Sequence, residues 1–176
     1  MTFVRNFAAY ALAALTAGSP STGLAGIRYH APPPNFAIPA RGGGTQYLYD
    51  LRDRVVVIDF WATWCDVCTQ EMKYFVRAQR LSGDRVALVT VSDEPHDVAA
   101  SYFRTWNVML PLVEDLDGAI ERLYSIEKIP DTLVLDPRGN VSYVSVGGLS
   151  WQELRQAIDQ AAGPLRTSTL PPRVLQ

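Results

Sequence analysis

The apolar positions of the chain alternate between short continuous runs and stretches with helical spacing. Residues 55–60 form a β-branched run, which predicts a central strand buried on both faces, and residues 86–91 predict a second buried strand. Apolar residues between them fall on one side of a helix predicted from about Cys65 to Arg80. Before these elements, a hairpin is predicted with strands over 36–38 and 45–48. After them, a helix is predicted to begin at the acids and proline of 93–95 and to reach Trp106. The remaining predicted elements are a short strand over 112–113, a short helix over 118–124, strands over 132–135 and 141–146, and a helix over 151–162. This order predicts an α/β sandwich with a mixed sheet.

Two local signals support the predicted end of the folded part. Residues 137–140 (PRGN) form a strong turn signal between the last two strands. Ser150 precedes the last predicted helix, and Glu153 stands three residues later, in the capping-box position. These signals predict that the folded part closes with a hairpin followed by a helix.

The first part of the chain has the pattern of a secretory leader. Arg5 is the only charged residue before an apolar segment over 7–17, and glycine, serine and proline follow that segment. Small residues at the −3 and −1 positions suit cleavage after Ala25. We therefore expect a signal peptide over residues 1–25 and a protein exported to the periplasm. The alternatives are an ordinary N-terminal helix and an uncleaved leader that tethers the chain to the inner membrane. The tether is disfavoured because a membrane span needs about 20 apolar residues.

The rest of the chain is expected to hold one folded domain. Residues 26–34 contain three consecutive prolines, which indicate a stiff extended linker. Residues 164–176 show no periodicity and contain two adjacent prolines, so we expect a flexible tail. A single domain over residues 35–163 lies between them. The total length of 176 residues suits one domain of ordinary size.

Composition and charge exclude several classes of protein. Hydrophobic residues make up 48% and charged residues 19% of the chain, so a core can form and disorder is not expected. With 16 Lys+Arg against 18 Asp+Glu, the net charge is −2, which excludes a nucleic-acid binder held by phosphate contacts. The lack of a run of about 20 apolar residues excludes a polytopic membrane protein. The two cysteines are too close in sequence to cross-link distant elements, which excludes a disulfide-stapled scaffold.

The chemistry is concentrated at Cys65 and Cys68, within the segment 61–68 (WATWCDVC). Two thiols at this spacing on the first turn of a helix can close a small disulfide. The unpaired N–H groups at a helix N-terminus stabilise a thiolate on the first cysteine. Cys65 is therefore predicted to be the nucleophile, and Cys68 the resolving thiol that closes the disulfide. A Cys-x-x-Cys motif directly after a buried strand is a strong signal for this redox chemistry.

The motifs resemble those of the thioredoxin superfamily and, within it, the TlpA/ResA-like thiol–disulfide oxidoreductases that bacteria export. The resemblance covers nearly the whole folded part. Residues 31–36 (APPPNF) are similar to the family's Ala-Pro-x-Phe entry. The other matching motifs are the strand and active site over 57–68, Glu71, the Ile129-Pro130 pair and Gly147-Gly148. The resemblance implies a thioredoxin-like fold, in which helices flank a central mixed β-sheet and an N-terminal β-hairpin is added. It also implies a thiol–disulfide oxidoreductase with no cofactor other than its redox-active disulfide.

The resemblance further suggests roles for two acids. Asp59 occupies the place at which thioredoxins carry an aspartate that accepts or relays the proton of the second cysteine. The alternative is a strand-end aspartate that faces water, since isolated burial of a carboxylate is costly. Glu71 matches a supporting acid common in the family, and a surface acid on the first helix is the alternative.

Substrate binding is predicted at three residues near the cysteines. A cis Ile129-Pro130 bond would turn the Ile129 backbone toward the cysteines, where a substrate strand could pair with it. A trans bond is the alternative that the sequence leaves open. Trp64 is predicted to form a partly exposed apolar platform beside Cys65, whereas Trp61 is predicted to pack inside the protein.

The sequence also leaves two alternatives to a thiol–disulfide oxidoreductase. Residues 67–71 faintly resemble the cysteine neighbourhood of a peroxiredoxin, which keeps a thiol peroxidase as the enzymatic alternative. The threonine expected three positions before that cysteine is Cys65, which argues against it. A non-catalytic binding module, in which the cysteine pair is only a local disulfide, is the other alternative. No metal site is predicted, because a structural zinc site needs four ligands and the chain has no second paired motif.

The resemblance and the predicted export together suggest the partners. We expect the substrates to be disulfides or thiols of extracytoplasmic proteins, and the family implies cytochrome c maturation as one setting. A reductant in an oxidising compartment needs to be recharged, which implies an electron-donating membrane protein. A monomer is expected, without a nucleic-acid partner.

Two positions depart from the family pattern. Val67 stands where the family usually has proline, just before the second cysteine. Asp131 follows Pro130, where thioredoxins commonly carry threonine. The second departure alters the predicted rim of the substrate groove.

Asp66, beside the nucleophile, leads to a prediction about the reduction potential. Its negative charge lies close to the forming thiolate and opposes the effect of the helix N-terminus. A less stabilised thiolate gives a more reducing couple, so we expect a potential closer to ~−270 mV than to ~−120 mV. Equilibration of the cysteine pair in redox buffers of known potential measures it. A value above roughly −180 mV would contradict the prediction.

Overall fold

The computed structural model describes residues 27–40 and 42–163, and the predicted signal peptide and tail lie outside these ranges. The elements in chain order are β1 (Ala37–Pro39), β2 (Thr45–Tyr47), a 3₁₀ turn (Leu48–Leu51), β3 (Val55–Phe60), α1 (Asp66–Ser82), a second 3₁₀ turn (Gly83–Arg85), β4 (Val86–Ser92), α2 (His96–Trp106), β5 (Leu112–Glu114), α3 (Ala119–Tyr124), β6 (Asp131–Leu135), β7 (Val141–Val146) and α4 (Trp151–Ala162). The predicted strands and helices are all present, with small differences at their ends. None of the helices in the described ranges has the length and apolar character that a bilayer span requires.

The central sheet has five strands in the order β5-β4-β3-β6-β7. β3, β4 and β5 run parallel to one another, whereas β6 is antiparallel to both β3 and β7. β1 and β2 form a separate antiparallel hairpin, as the resemblance implied. β3 lies at the centre and is buried along its whole length, because it is apolar on both faces except at one aspartate. The predicted mixed α/β sheet with an added hairpin is confirmed.

The two faces of the sheet bury separate apolar clusters. One face packs against α1, α2 and α4, which contribute Phe75, Phe103 and Leu154 in that order. The other face packs against the hairpin and α3, which contribute Ile38 and Tyr124. The sheet is therefore covered on both sides, and α1 lies in a layer of three helices on one of them.

The segment predicted as a linker is bonded to the domain. Residues 29–31 pair with Val141 at the start of β7. The hydroxyl of Tyr124 donates a hydrogen bond to the carbonyl oxygen of Pro34 at 2.6 Å. Contacts with the fold therefore begin before Asn35, where the sequence placed the start of the domain.

Candidate active site

β3 and α1 place the two cysteines at the carboxyl edge of the sheet. After β3 ends, the backbone N–H of Trp61 donates to the carbonyl of Val91 at 3.0 Å, which extends the pairing with β4 by one residue. The N–H of Cys65 then donates to the carbonyl of Ala62 at 3.2 Å and closes a tight turn. Cys65 is the N-cap of α1, one residue before the helix, whereas the sequence placed the helix start at Cys65 itself. The loop between strand and helix is therefore short, with a cysteine at its helical end.

Cys65 and Cys68 form a disulfide with an S–S distance of 2.04 Å and a Cα–Cα distance of 5.3 Å. The Sγ atom of Cys65 accepts a hydrogen bond from the backbone N–H of Cys68 at 3.2 Å. The exposed fraction is 9% for Cys65 and 1% for Cys68. A thiolate on Cys65 would be stabilised by this amide and by the positive end of the helix dipole. Cys65 is therefore the more exposed of the two cysteines.

Apolar side chains are exposed next to the cysteines in the sequence and at the end of β7. Trp64 is 65% exposed, and Val67 and the end of β7 at Val146 are also exposed. Trp61, in contrast, is fully buried and stacks on Phe103 with a distance of 5.2 Å between ring centroids. The exposure predicted for Trp64 and the internal packing predicted for Trp61 are both present.

The Ile129-Pro130 peptide bond is cis, as the resemblance implied. It directly precedes β6, in which Asp131 lies opposite Phe60, the last residue of β3. The N–H of Gly147 donates to the carbonyl of Pro130 at 2.8 Å. Among the described residues, the backbone of Ile129 has no hydrogen-bond partner.

Asp59 lies inside the protein and is 1% exposed, so the alternative of an aspartate facing water is wrong. Alternation along β3 puts its side chain on the same face as Trp61, the face that α1 covers. Oδ1 accepts a hydrogen bond from Oγ1 of Thr132 at 3.3 Å, and Oδ2 is buried without a partner among the described residues. Burial, followed by the charge of Glu71, raises the pKa of Asp59 well above its usual value, against the opposing hydrogen bond from Thr132.

Glu71 is a second buried acid, one turn after Cys68 on α1. It is 5% exposed, so the alternative of a surface acid is also wrong. Oε1 accepts a hydrogen bond from the N–H of Leu149 at 2.5 Å, and Oε2 has no partner among the described residues. Burial raises the pKa of Glu71 to about 7; the bond from Leu149 lowers it and the charge of Glu153 raises it further. Asp59 and Glu71 therefore both hold a proton to higher pH than ordinary carboxyl groups.

The loop between β7 and α4 closes over Glu71. A Cβ atom at Gly148 would lie 2.6 Å from Oε1 of Glu71 and 2.8 Å from Cγ1 of Val67, so a side chain would collide with both. The N–H of Gly147 also donates to Oδ1 of Asp131 at 3.1 Å. Asp131 is itself buried, so it does not form the exposed rim of the predicted substrate groove. It contacts that region through its hydrogen bond with Gly147.

One contact at the site was missed by the sequence analysis. The carboxylate of Glu94, just after β4, accepts hydrogen bonds from the hydroxyl of Thr63 at 2.7 Å and from its backbone N–H at 2.5 Å. The carboxyl ends of parallel strands meet at one edge of a sheet, so an acid after β4 can reach the loop after β3. That adjacency is the signal that could have suggested the pair. The contact holds the loop that leads to Cys65.

The described ranges contain no group of three or more His, Cys, Asp and Glu side chains placed to hold a metal ion. The two histidines of the chain, His30 and His96, are exposed and far apart in sequence. His96 begins α2, where its backbone N–H donates to a carboxylate oxygen of Glu114 at 2.5 Å.

Comparisons with known proteins agree with this geometry. Residues 30–144 match the model of the AhpC/TSA family. The chain belongs to this family. It is similar to the thioredoxin-like protein YneN of Bacillus subtilis, with 28% identity over 138 residues, which are 76% of this chain and 81% of that protein. It is also similar to the thiol-disulfide oxidoreductase ResA of Bacillus subtilis, with 28% identity over 119 residues, which are 66% of each protein.

The similarity extends to solved structures. A crystal structure from Chlorobium tepidum, described as a thiol:disulfide interchange protein DsbE, superimposes with a TM-score of 0.69 and 26% identity, over 77% of this chain and 98% of that one. With the relatives above, this confirms the thioredoxin-like fold and the TlpA/ResA-like character of the chain. This member of the AhpC/TSA family is a thiol–disulfide oxidoreductase.

The raised pKa of Glu71 predicts how stability depends on pH. An ordinary glutamate has a pKa near 4.5, and Glu71 in the fold has one of about 7. Between these values the folded chain binds more protons than the unfolded chain, so the free energy of unfolding falls as the pH rises. We expect Glu71→Gln, which keeps an acceptor for Leu149, to flatten this slope. Urea denaturation of the oxidised protein at several pH values measures it.

A matched variant controls for the loss of any glutamate. Glu127→Gln changes an exposed residue in the loop before Ile129 and should leave the pH slope as it is. A Glu71→Gln protein with the slope of the unsubstituted chain would show that Glu71 titrates as an ordinary carboxyl group.

Proposed function

We propose that the protein is an exported reductase of disulfides in extracytoplasmic client proteins. The observation that carries the proposal is the placement of the two sulfurs. Cys65 Sγ accepts a hydrogen bond from the N–H of Cys68 in the first turn of α1, and Cys65 is the more exposed of the two residues, at 9% against 1%. This arrangement suits one sulfur to attack a client disulfide and the other to close the internal disulfide.

The proposed cycle begins with a Cys65 thiolate and a Cys68 thiol. The thiolate attacks one sulfur of the client disulfide, the bond between the client sulfurs breaks, and one of them leaves as a thiolate that takes a proton from water. Cys68 gives its proton to Asp59 and attacks Cys65 Sγ, which releases the second client sulfur as a thiolate that also takes a proton from water. Asp59 returns the proton to water. The client gains two electrons and two protons, and the protein is left with its disulfide.

Asp59 is the proposed proton acceptor because of its burial and its pKa. It lies on the face of β3 that α1 covers, and its pKa is raised well above the usual value. A base whose pKa lies nearer to the working pH transfers protons more efficiently. Glu71 follows Cys68 by one turn, and its charge raises the pKa of Asp59. We assign Glu71 a supporting role, in which its own protonation sets how readily Asp59 accepts a proton.

Client binding is proposed at the exposed rim of the disulfide. Trp64 offers an apolar surface beside Cys65. The unpaired backbone of Ile129, turned by the cis bond to Pro130, can take a client strand by β-augmentation. Main-chain pairing does not depend on the client's side chains, so it suits a reductase that meets more than one sequence.

The setting of the reaction is proposed from the sequence. The predicted signal peptide over residues 1–25 supports export to the periplasm, and tethering by an uncleaved leader is the alternative. A periplasmic reductant needs a membrane protein to return electrons to Cys65 and Cys68. The resemblance to TlpA/ResA-like proteins supports apocytochrome c, or another cysteine-bearing assembly factor, as a client.

A thiol peroxidase is the second candidate, supported by the resemblance of residues 67–71 to a peroxiredoxin. Oxidation of a thiol by peroxide requires access to the sulfur, and the cysteine of that segment, Cys68, is 1% exposed. Consumption of hydrogen peroxide distinguishes this candidate from the reductase. A binding module without catalysis is distinguished by the absence of insulin reduction.

Trapping tests the proposed function. In Cys68→Ser the mixed disulfide cannot be resolved, so clients should stay covalently attached to Cys65. Non-reducing electrophoresis of periplasmic extracts, followed by mass spectrometry of the adducts, identifies them. The double variant Cys65→Ser/Cys68→Ser should trap nothing. Equal adducts in both variants, or none in the single variant, would contradict the assignment of Cys65 as the nucleophile.

A second prediction concerns the proton acceptor. Asp59→Asn keeps the shape of the side chain and removes the acid, so resolution of the mixed disulfide should slow by about tenfold or more. Attack of Cys65 on the client should keep its rate. Stopped-flow measurement with a chromogenic disulfide separates the two steps, and circular dichroism checks the fold. Asp97→Asn, at an exposed position on α2, is the matched control. If resolution in Asp59→Asn is as fast as in this control, Asp59 has no role as a base.

A further inference from the structure

A groove between α1 and α2 runs from the redox site along α1, and the proposed cycle makes no use of it. Its volume is about 780 Å³. Thr63 and Thr69 line the end beside the cysteines, and Arg80 and Leu81 line it near the other end of α1. From Thr69 to Leu81 an α-helix advances about 18 Å at about 1.5 Å per residue. The groove therefore follows most of the length of α1.

The floor of the groove is apolar. It is formed by residues of both helices and of the connection after α2: Met72, Val76, Tyr102, Trp106 and Val108. The hydroxyl of Tyr102 donates to the carbonyl of Thr69 at 3.2 Å and ties the two helices together at the redox end. The rings of Tyr102 and Trp106 lie 6.2 Å apart and continue along α2. An apolar surface of this length is a feature of interaction sites.

The apolar surface extends beyond what a small ligand in the groove would cover. Trp106 is 67% exposed and Leu81 is 64% exposed. Met109, next to Val108, is 82% exposed. A small molecule bound at one end of the groove would leave most of these side chains in water. A helix laid along the groove would cover them, in the mode by which amphipathic helices bind apolar grooves.

The charges beside the groove select an acidic occupant. Lys73, Arg77 and Arg80 line it, and none of its lining residues, all within the described ranges, carries a carboxylate. The Arg77 guanidinium lies 4.2 Å from the centroid of the Trp151 ring, which holds it toward α4. Lys73 and Arg80 are seven residues apart and so share one edge of α1. The chain's own residues 164–176 contain two arginines and no acid, so their charge does not suit this groove.

We propose that the groove docks an acidic amphipathic helix of a protein that exchanges disulfides with Cys65. This inference rests on the proposed function, since the redox end of the groove is at Thr63, two residues before Cys65. A helix in the groove would hold its protein with one end beside the sulfur pair. Partners would then be selected by apolar contact and charge along α1, independently of the strand pairing at Ile129.

Two synthetic peptides of about 18 residues, long enough to span the groove as a helix, test the proposal. Each has a leucine face, and the opposite face carries glutamate in one and lysine in the other, without cysteine. Calorimetric titration of the oxidised protein at low salt should show the glutamate peptide binding at least about fivefold more tightly. This preference should shrink at about 0.5 M salt, where charges are screened.

Variants assign the binding to the groove. Lys73→Glu/Arg80→Glu should reverse the preference between the two peptides, and Trp106→Ala should weaken both by about threefold or more. Arg155→Glu changes an exposed cation on α4 and is the matched control, expected to leave both affinities within about twofold. Equal binding of the two peptides, or an equal effect of Arg155→Glu and the double variant, would overturn the proposal.

Other occupants give other results. Binding of laurate without binding of either peptide would assign the groove to a small amphiphile. A protein dimer that the double variant abolishes would assign it to a second copy of the chain. Either result would overturn the proposal. Insulin reduction by the unsubstituted protein, measured in parallel, separates the docking site from the proposed function. A protein that binds the peptide but does not reduce insulin counts against the proposed function. A protein that reduces insulin but binds neither peptide counts against the docking site.

Discussion

The backbone amide of Cys68 donates to the sulfur of Cys65, and the site is arranged around that bond. The first amides of a helix have no partner within the helix, and here one of them is satisfied by sulfur instead of oxygen. The bond requires α1 to begin directly after the short loop that leaves β3. Glu94 holds that loop at Thr63, so the position of the sulfur depends on a contact from the neighbouring strand.

Behind the sulfurs, the protein carries a cost in stability. Asp59 and Glu71 each have a buried oxygen without a partner among the described residues. A buried polar group left unsatisfied costs about 1–3 kcal/mol. Apolar residues at both places would suit the surrounding core better. Packing of the core therefore does not account for two mutually repelling acids inside the fold.

Local patterns in the sequence account for most of the fold. The β-branched run became β3, and the capping box of Ser150 and Glu153 is formed as predicted. The burial of Glu71 was left open because carboxylates are rarely buried, although Glu71 lies three residues after Cys68 and four before Phe75, on the buried face of α1. Glu94 was missed because its partner, Thr63, is distant in sequence and depends on the order of the strands. Contacts that depend on tertiary packing leave no periodic signal.

The chain enters the domain at the end of the sheet remote from the cysteines. Residues 29–31 pair with Val141, the first residue of β7, whereas the last residue of that strand lies opposite Asp131, next to the cis-proline. A strand of this length spans about 20 Å. Immobilisation of the protein on an electrode or a resin through one of the exposed residues 28–30 would therefore present the disulfide outward, accessible to large soluble reactants.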